Sequence, residues 1–289
     1  MQAVETRREL LLPIPPGFSL SQTLDCGQCF RWKVQPDGSW TGVVEGSVFR
    51  IREGEGCLHI VCLSAPHRAE GEMSDFFRRY FDFDTDYRAI KTLCGAHPAL
   101  RAAAEFAGGI HILRQQPWEA LCTFILSQNN NIKRIAGLVE RLCENFGQAI
   151  PALDGTRYFS FPSPEVLAPL TAEDLAPVRC GFRAKYVLDA ARKASSGEIR
   201  LEELERAPTP EAMERLMEIK GVGPKVAQCA LLFGLHKLDC LPRDVWIGRA
   251  LDALFPEGFP EEVLPVAGAA QQYLFHYVRH HPEAVEGGK

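Results

Sequence analysis

Most of the features that would take a chain into a membrane or out of a reducing compartment are missing from this sequence. No uninterrupted apolar run approaches the roughly 20 residues needed to span a bilayer; the nearest candidate, VAQCALLFGL at 226–235, has the length of a core helix. The first residues, MQAVETRREL, lack the charged-then-apolar layout of a secretory signal. There is no fixed-period repeat and no low-complexity block. No cysteine follows Cys240, so there is no C-terminal four-cysteine cluster to hold iron–sulfur. The ten cysteines could suggest an extracellular disulfide framework, but in a 289-residue chain without a secretion signal they are expected to be free thiols inside the cell. Cys26 and Cys29 form one C-x-x-C, with Cys57 and Cys62 downstream. That second spacing is wrong for a zinc knuckle, and Cys29 falls in what reads as an alternating strand. A polyanion-binding charge is also missing, since the net charge is −5. The charge is uneven, however. Val178 to Arg249 holds 13 Lys/Arg against 10 Asp/Glu, modest support for a nucleic-acid face.

What is present is an ordinary globular composition, 46% hydrophobic and 24% charged, on a chain long enough for one large or two smaller cores. CFRWKV, WTGVV, SVFRIR and CLHIVCL are short β-rich runs separated by QPDGS, EG and EGEG, which are hairpin chemistry. They predict a four- or five-stranded antiparallel meander ending near Leu63. From about Met73 the periods turn helical. QPWEALCTFILSQ puts proline near a first turn, with Leu121, Phe124 and Ile125 on one face. NNNIKRIAGLVERLCENFG has a capping asparagine, a stripe through Ile132, Ile135, Leu138, Val139, Leu142 and Phe146, and a closing Gly147. Further helices are predicted at Glu173–Arg179, Ala184–Ser195, Pro210–Glu218, Pro224–Leu235, Val245–Leu254 and Leu264–His280. The expected fold class is α+β, an N-terminal antiparallel sheet domain with flanking helices (1–110), then a mostly helical domain (111–282). A disordered tail is expected at 283–289.

The stretch EIKGVGPKVAQCAL carries the most chemistry. Two helices joined through Gly221-Val222-Gly223 expose backbone N–H groups at the start of the second, and those donors, with the helix dipole, suit a phosphate. An acidic protein can hold DNA in this way, through amides. Lys225 lies one turn from Cys229 on the same helical face, and Asp244 precedes another amphipathic helix at an N-cap position. A lysine in a partly desolvated cleft can act as a neutral amine nucleophile. By itself, a helical hairpin with a solvated first-turn lysine would read the same way.

The hairpin, the lysine and the aspartate 19 residues later resemble the helix-hairpin-helix DNA glycosylase superfamily, and within it the 8-oxoguanine DNA glycosylase family. LDCGQCFRW, LSQNNNIKRIAGLVERLC, CGFRAKYV, GVGPKVAQCALLFGLHK, PRDVW and AAQQYLF all resemble that family, in order, over most of the chain. The resemblance implies that Lys225 attacks the sugar carbon of a damaged nucleotide, expels the base, and nicks the strand by β-elimination from a Schiff base. Asp244 would stabilise the developing positive charge while capping its helix. The base would be rotated out of the duplex. The Gly27 carbonyl would tell 8-oxoguanine, with its N7–H donor, from guanine, whose N7 is an acceptor. Cys229 and Phe275 would sandwich the base, and Gln271 would bind its Watson–Crick edge. Asn130 would fill the hole in the helix and Asn129 would contact the orphaned cytosine, which Arg134 and Arg183 would read.

The resemblance further implies phosphate contacts at Gly221, Gly223 and Val226, and a monovalent or divalent cation on the carbonyls of Met217, Ile219 and Val222. Beyond that, no cofactor is expected. Two positions depart from the family pattern. Phe182 stands where a tyrosine wedge is usual, and Trp246 where a histidine lies near the lesion's phosphate. The expected partner is duplex DNA containing 8-oxoguanine, with cytosine preferred opposite the lesion. The expected form is a monomer with no membrane, in the cytoplasm or nucleoid of a bacterium or the nucleus of a eukaryote. Two readings stay open on the residues alone: a superfamily enzyme acting on alkylated bases or mispaired adenine, and a non-catalytic DNA-binding module. Lys225 weighs against an alkylated-base enzyme, and the missing iron–sulfur cysteines against an adenine-removing one.

Overall fold

The computed structural model describes residues 8–64 and 70–286. A five-stranded antiparallel sheet forms the N-terminal part, from β1 (Arg8–Pro13), β2 (Trp32–Val34), β3 (Trp40–Val44), β4 (Ser47–Gly54) and β5 (Cys57–Cys62). The strand order is β1-β5-β4-β3-β2. The four runs expected from sequence are therefore the meander β2 to β5. β1, absent from that expectation, returns from the other end and pairs with β5, Leu10 opposite Ile60 and Leu12 opposite Leu58. Leu10 and Leu12 face the core while Glu9 and Leu11 face out, the period-2 signature of a half-buried strand.

Between β1 and β2 lies a short helix, α1 (Leu20–Asp25), capped by Ser19. Cys29 and Phe30 lie outside any strand, a correction to the expected strand CFRWKV, because the chain turns sharply at Gly27 (φ +84°) and pairing begins only at Trp32. The sheet packs its inner face on α2 (Glu70–Tyr80), with Phe49, Phe77 and Phe81 among the buried rings.

Two helices before residue 110, α3 (Tyr87–Cys94) and α4 (Pro98–Ala107), bury their apolar faces in the helical core instead. That core is built from α5 (Pro117–Leu126), α6 (Ile132–Phe146), α7 (Pro164–Leu167), α8 (Ala184–Ser195), α9 (Leu201–Arg206), α10 (Thr209–Met217), α11 (Pro224–Leu235), α12 (Val245–Leu254) and α13 (Ala267–His280). A two-stranded ribbon, β6 (Ala149–Pro151) with β7 (Arg157–Phe159), links α6 to α7.

Three further expectations are corrected. Glu173–Arg179 is not a helix: only Ala176–Val178 make a 3-10 turn, because Pro177 lacks an N–H and Asp174 closes a local turn on Thr171. The last long helix starts at Ala267, since Pro265 sits in a 3-10 stretch over Glu261–Val266. Glu283–Glu286, expected to be disordered, form a helical turn, α14; residues 287–289 lie outside the described residues.

One polar junction ties the sheet part to the end of α11. Asp82, buried and in a left-handed conformation (φ +52°), accepts hydrogen bonds from Tyr87 Oη at 2.8 Å and Arg114 Nε at 2.9 Å. His236, the left-handed C-cap of α11, brings Nε2 to 2.9 Å from the same carboxylate. Burial would raise the Asp82 pKa, but the His236 contact and charge, with Thr85 and Tyr87, bring it down to about 2. The helix that carries Lys225 in its first turn thus ends on a buried charge anchored in the other half of the molecule.

Candidate active site

A cavity of about 680 Å³ opens where α5, α11, α12 and α13 meet the Gly27 turn. Lys225, in the first turn of α11, and Asp244, the N-cap of α12, both line it. Asp244 Oδ1 accepts from Ile247 N at 2.8 Å, so the cap is real and leaves its second oxygen free of that duty. Lys225 Nζ donates to Ser127 Oγ at 3.3 Å and lies 5.7 Å from the centre of the Phe124 ring. Ser127 gives its own hydrogen to Phe124 O at 2.7 Å, so toward the lysine it only accepts. Phe124 and Phe233, stacked at 5.1 Å, form an apolar wall behind the amine. Cys229, one turn along α11, also lines the cavity. Burial raises its pKa to about 11 although the Lys225 charge opposes this, so it is a neutral thiol.

Gly27 reaches the cavity through a turn that is braced on both sides. Gln272 Nε2 donates to Cys26 O at 2.6 Å. Gln28 donates to Thr23 O and His111 O, and accepts from Leu113 N. Gln115 Nε2 donates to Gln28 O at 2.7 Å. Among the described residues, nothing donates to the Gly27 carbonyl between them. A Cβ on Gly27 would meet Ile132 Cδ1 at 3.1 Å and Phe275 Cε1 at 3.5 Å.

From α13, Gln271 and Phe275 face the same cavity. Gln271 is 5% exposed and its Oε1 is buried without a hydrogen-bond partner. Leaving such an atom unpaired costs about 1–3 kcal/mol, which is recovered when a ligand donates to it. Sequence reasoning missed three residues here. Ser127 holds the lysine, Gln272 pins the Gly27 turn, and Arg279 lines the cavity with its guanidinium 5.3 Å from the Phe275 ring. Of these, only Arg279 left a signal, since it follows Phe275 by four residues just as Phe275 follows Gln271.

The Asn segment lies at one edge. Asn131 caps α6 by accepting from Arg134 N at 2.9 Å, and Asn130 lines the cavity. Asn130 Nδ2 is tied back to Leu126 O at 2.8 Å, while its Oδ1 is buried and unpaired. Asn129 is exposed in a left-handed conformation (φ +49°), and Arg134 is exposed on the first turn of α6. Arg183 is 4% exposed; it donates to Gln128 O, Asn129 O and Cys180 O, so most of its five N–H groups hold the Asn segment in place. Burial, then the Arg134 charge, hold its pKa below the usual arginine value. Phe182 beside it is 46% exposed, an aromatic ring standing out of the surface.

The hairpin lies at the head of α11. Gly221 has φ +79°, and a side chain there would run into the Tyr186 ring. Gly223 is the N-cap, and a Cβ on it would meet nothing within 4 Å; the N–H groups of the first turn up to Val226 have no intrahelical partner. Met217 ends α10, Ile219 O accepts from Val222 N at 3.0 Å, and Val222 precedes the cap. Trp246, half-buried, lines the cavity, with Arg249 5.9 Å from its ring.

Comparison with known proteins gives the chain its family. Residues 11–121 match the 8-oxoguanine DNA glycosylase N-terminal domain, and residues 122–261 match the HhH-GPD superfamily of base excision DNA repair proteins. The chain belongs to the 8-oxoguanine DNA glycosylase family. An N-glycosylase/DNA lyase of Saccharomyces cerevisiae is 42% identical over 255 residues, covering 80% of this chain and 66% of that protein. The chain thus spans about two thirds of the length of that relative. A structure of MBOgg1 with a low-affinity DNA ligand superposes with a TM-score of 0.87 at 39% identity, covering 97% of this chain and 98% of the other. The 8-oxoguanine glycosylase/lyase of Clostridium acetobutylicum, bound to duplex DNA with cytosine opposite 8-oxoguanine, gives a TM-score of 0.84 at 33% identity. It covers 92% of this chain and 93% of that one. By family, the chain is a bifunctional glycosylase/lyase of DNA repair. Among the described residues no helix is long and apolar enough to cross a membrane.

Proposed function

We propose that this glycosylase excises 8-oxoguanine from duplex DNA through a Schiff base on Lys225 and prefers cytosine opposite the lesion. The observation that carries the reading is that one cavity holds a primary amine, a capping carboxylate, the braced Gly27 turn and an unsatisfied amide oxygen on Gln271. The Gly27 carbonyl is fixed by its neighbours and free of internal partners, so an incoming N7–H donor gains a hydrogen bond there, whereas the N7 lone pair of guanine is repelled. Gln271 Oε1 takes a donor of the base's Watson–Crick edge. Phe275 and the neutral Cys229 thiol offer the two faces of a slot for a planar ring.

In the chemical step the Nζ lone pair of Lys225 forms a bond to C1′ as the C1′–N9 pair leaves with the base. Asp244 faces the positive charge that develops on the sugar. One amine proton neutralises the departing base, and ring opening with protonation of O4′ gives a protonated Schiff base; removal of a C2′ proton then forms the enamine whose electrons expel the 3′-phosphate. The hairpin N–H groups of Gly221, Gly223 and Val226 bind the backbone. The carbonyls of Met217, Ile219 and Val222 are hard oxygen ligands suited to an alkali or alkaline-earth cation, which would supply positive charge to that phosphate. Phe182 wedges the duplex, Asn130 enters the gap, and Asn129 with Arg134 meets the orphaned cytosine, Arg183 holding their segment in register and offering its remaining N–H.

The test is borohydride trapping and strand cleavage on duplexes carrying 8-oxoguanine opposite each of the four bases. A trapped adduct with wild type, none with Lys225→Gln, and fastest cleavage opposite cytosine are expected. Equal rates for all four partners would sink the cytosine preference. No adduct despite tight binding would favour a module that only holds DNA.

A further inference from the structure

Three side chains of α13 form one stripe into the cavity: Gln271, Phe275 and Arg279, each four residues from the next. Two of them end in atoms the protein does not satisfy. Gln271 Oε1 is a buried acceptor without a donor, and Arg279 Nη1 is a buried donor without an acceptor. They cannot satisfy each other, because eight residues of helix separate them by about 12 Å of rise. The Arg279 guanidinium lies 5.3 Å from the centre of the Phe275 ring, which holds it at that end of the stripe. Among the described residues no carboxylate pairs with it.

A ligand that satisfies the stripe has a donor edge at one end, a flat ring in the middle and an anion at the other. A single everted nucleotide has that order of chemistry. We propose that Arg279 binds a backbone phosphate flanking the everted lesion, so that α13 reads one nucleotide from base edge to phosphate. This rests on the reading above that the cavity receives a flipped nucleotide. A guanidinium suits the phosphate better than the base, because phosphate oxygens accept its whole fork, whereas the N7–H of 8-oxoguanine breaks up the O6/N7 acceptor pair that a fork takes on guanine. It also provides a cation on the cavity wall that Trp246 shares and where Trp246 carries no charge.

The experiment uses Lys225→Gln protein, which cannot turn over, with and without Arg279→Met, which keeps an apolar stem over Phe275. Binding is measured by fluorescence anisotropy between about 50 and 200 mM salt on two duplexes, one with 8-oxoguanine and one with a tetrahydrofuran abasic analogue. Arg279→Met is expected to weaken both by about tenfold at the lower salt and to reduce the salt slope by about 1, the loss of one phosphate contact. Arg279→Lys should keep the salt slope. A loss confined to the 8-oxoguanine duplex would overturn the proposal in favour of base reading. Unchanged affinity and slope on both would reduce Arg279 to a packing residue. Borohydride trapping by the Arg279→Met protein with Lys225 intact separates the two claims. If trapping persists while binding is unchanged, only this inference falls.

Discussion

Replacing Gly27 with alanine tests the base-recognition turn with one added methyl. The φ of +84° puts an alanine in a conformation that costs an L-residue about 1–2 kcal/mol. The added Cβ also presses on Ile132 Cδ1 at 3.1 Å, a flexible side-chain end that can retreat by a few tenths of an ångström, so the contact adds little. The expected destabilisation is therefore about 1–2 kcal/mol, or roughly 2–3 °C in Tm for a chain of this size. Function should suffer more than stability. The turn cannot relax as a unit, because Cys26 O is held by Gln272 and Gln28 by four hydrogen bonds, so relief comes from rotating the peptide between them. That rotation re-aims the Gly27 carbonyl. Losing one discriminating hydrogen bond costs about 1–3 kcal/mol, about fivefold to 150-fold in preference for 8-oxoguanine over guanine. The assay is competitive binding of 8-oxoguanine and guanine duplexes by Lys225→Gln protein, with and without Gly27→Ala, alongside thermal melts. A variant as stable and as discriminating as its parent would refute the argument from turn geometry.

Other perturbations should separate charge from packing. Asp244→Asn keeps a good N-cap, so the melting curve should stay within about 0.5 kcal/mol, while single-turnover excision falls by about a hundredfold or more. Asp82 has a folded pKa of about 2 against an ordinary 3.8, so its contribution is present above about pH 4 and lost as pH falls toward 2. Asp82→Asn should thus cost about 2–3 kcal/mol in urea unfolding at pH 7, with the gap to wild type narrowing as pH falls from 4 toward 2. A constant gap would show that the pairing is not the source. With its pKa raised to about 11, Cys229 should resist iodoacetamide at pH 7.5 in the folded protein, and mass spectrometry that found it rapidly alkylated would contradict the buried neutral thiol.

Much of this was legible in the chain because it is local. The hairpin turns of β2 to β5, the apolar stripe of α6, and the Gly-Pro-Lys entry to α11 are each written in fewer than 20 consecutive residues. α11 and α12 begin and end where the sequence places them. β1 was not legible because its partner is β5, some 50 residues away, and RELLLP has no turn signal to mark it. The extent of β2 failed for a related reason. Apolar Cys29 and Phe30 continue the strand pattern, but Gln28 and Gln115 fix the chain there through side chains remote in sequence. The same distance hid Gln272, whose bond to Cys26 O spans 246 positions. Ser127 was invisible as the lysine's neighbour, since nothing in LSQNNN specifies which helix faces it. Arg279 shared the helical stripe but stood outside the quoted motif, and only its unpaired Nη1 in the folded protein distinguishes it from a surface arginine.

The central claim is that the amine of Lys225 becomes covalently attached to the sugar. Reduce the complex with an 8-oxoguanine·cytosine duplex using borohydride, digest it, and map the modified peptide by mass spectrometry. The account predicts the sugar-derived mass on Lys225. An adduct on any other amine, or full base excision by the Lys225→Gln protein, would contradict it.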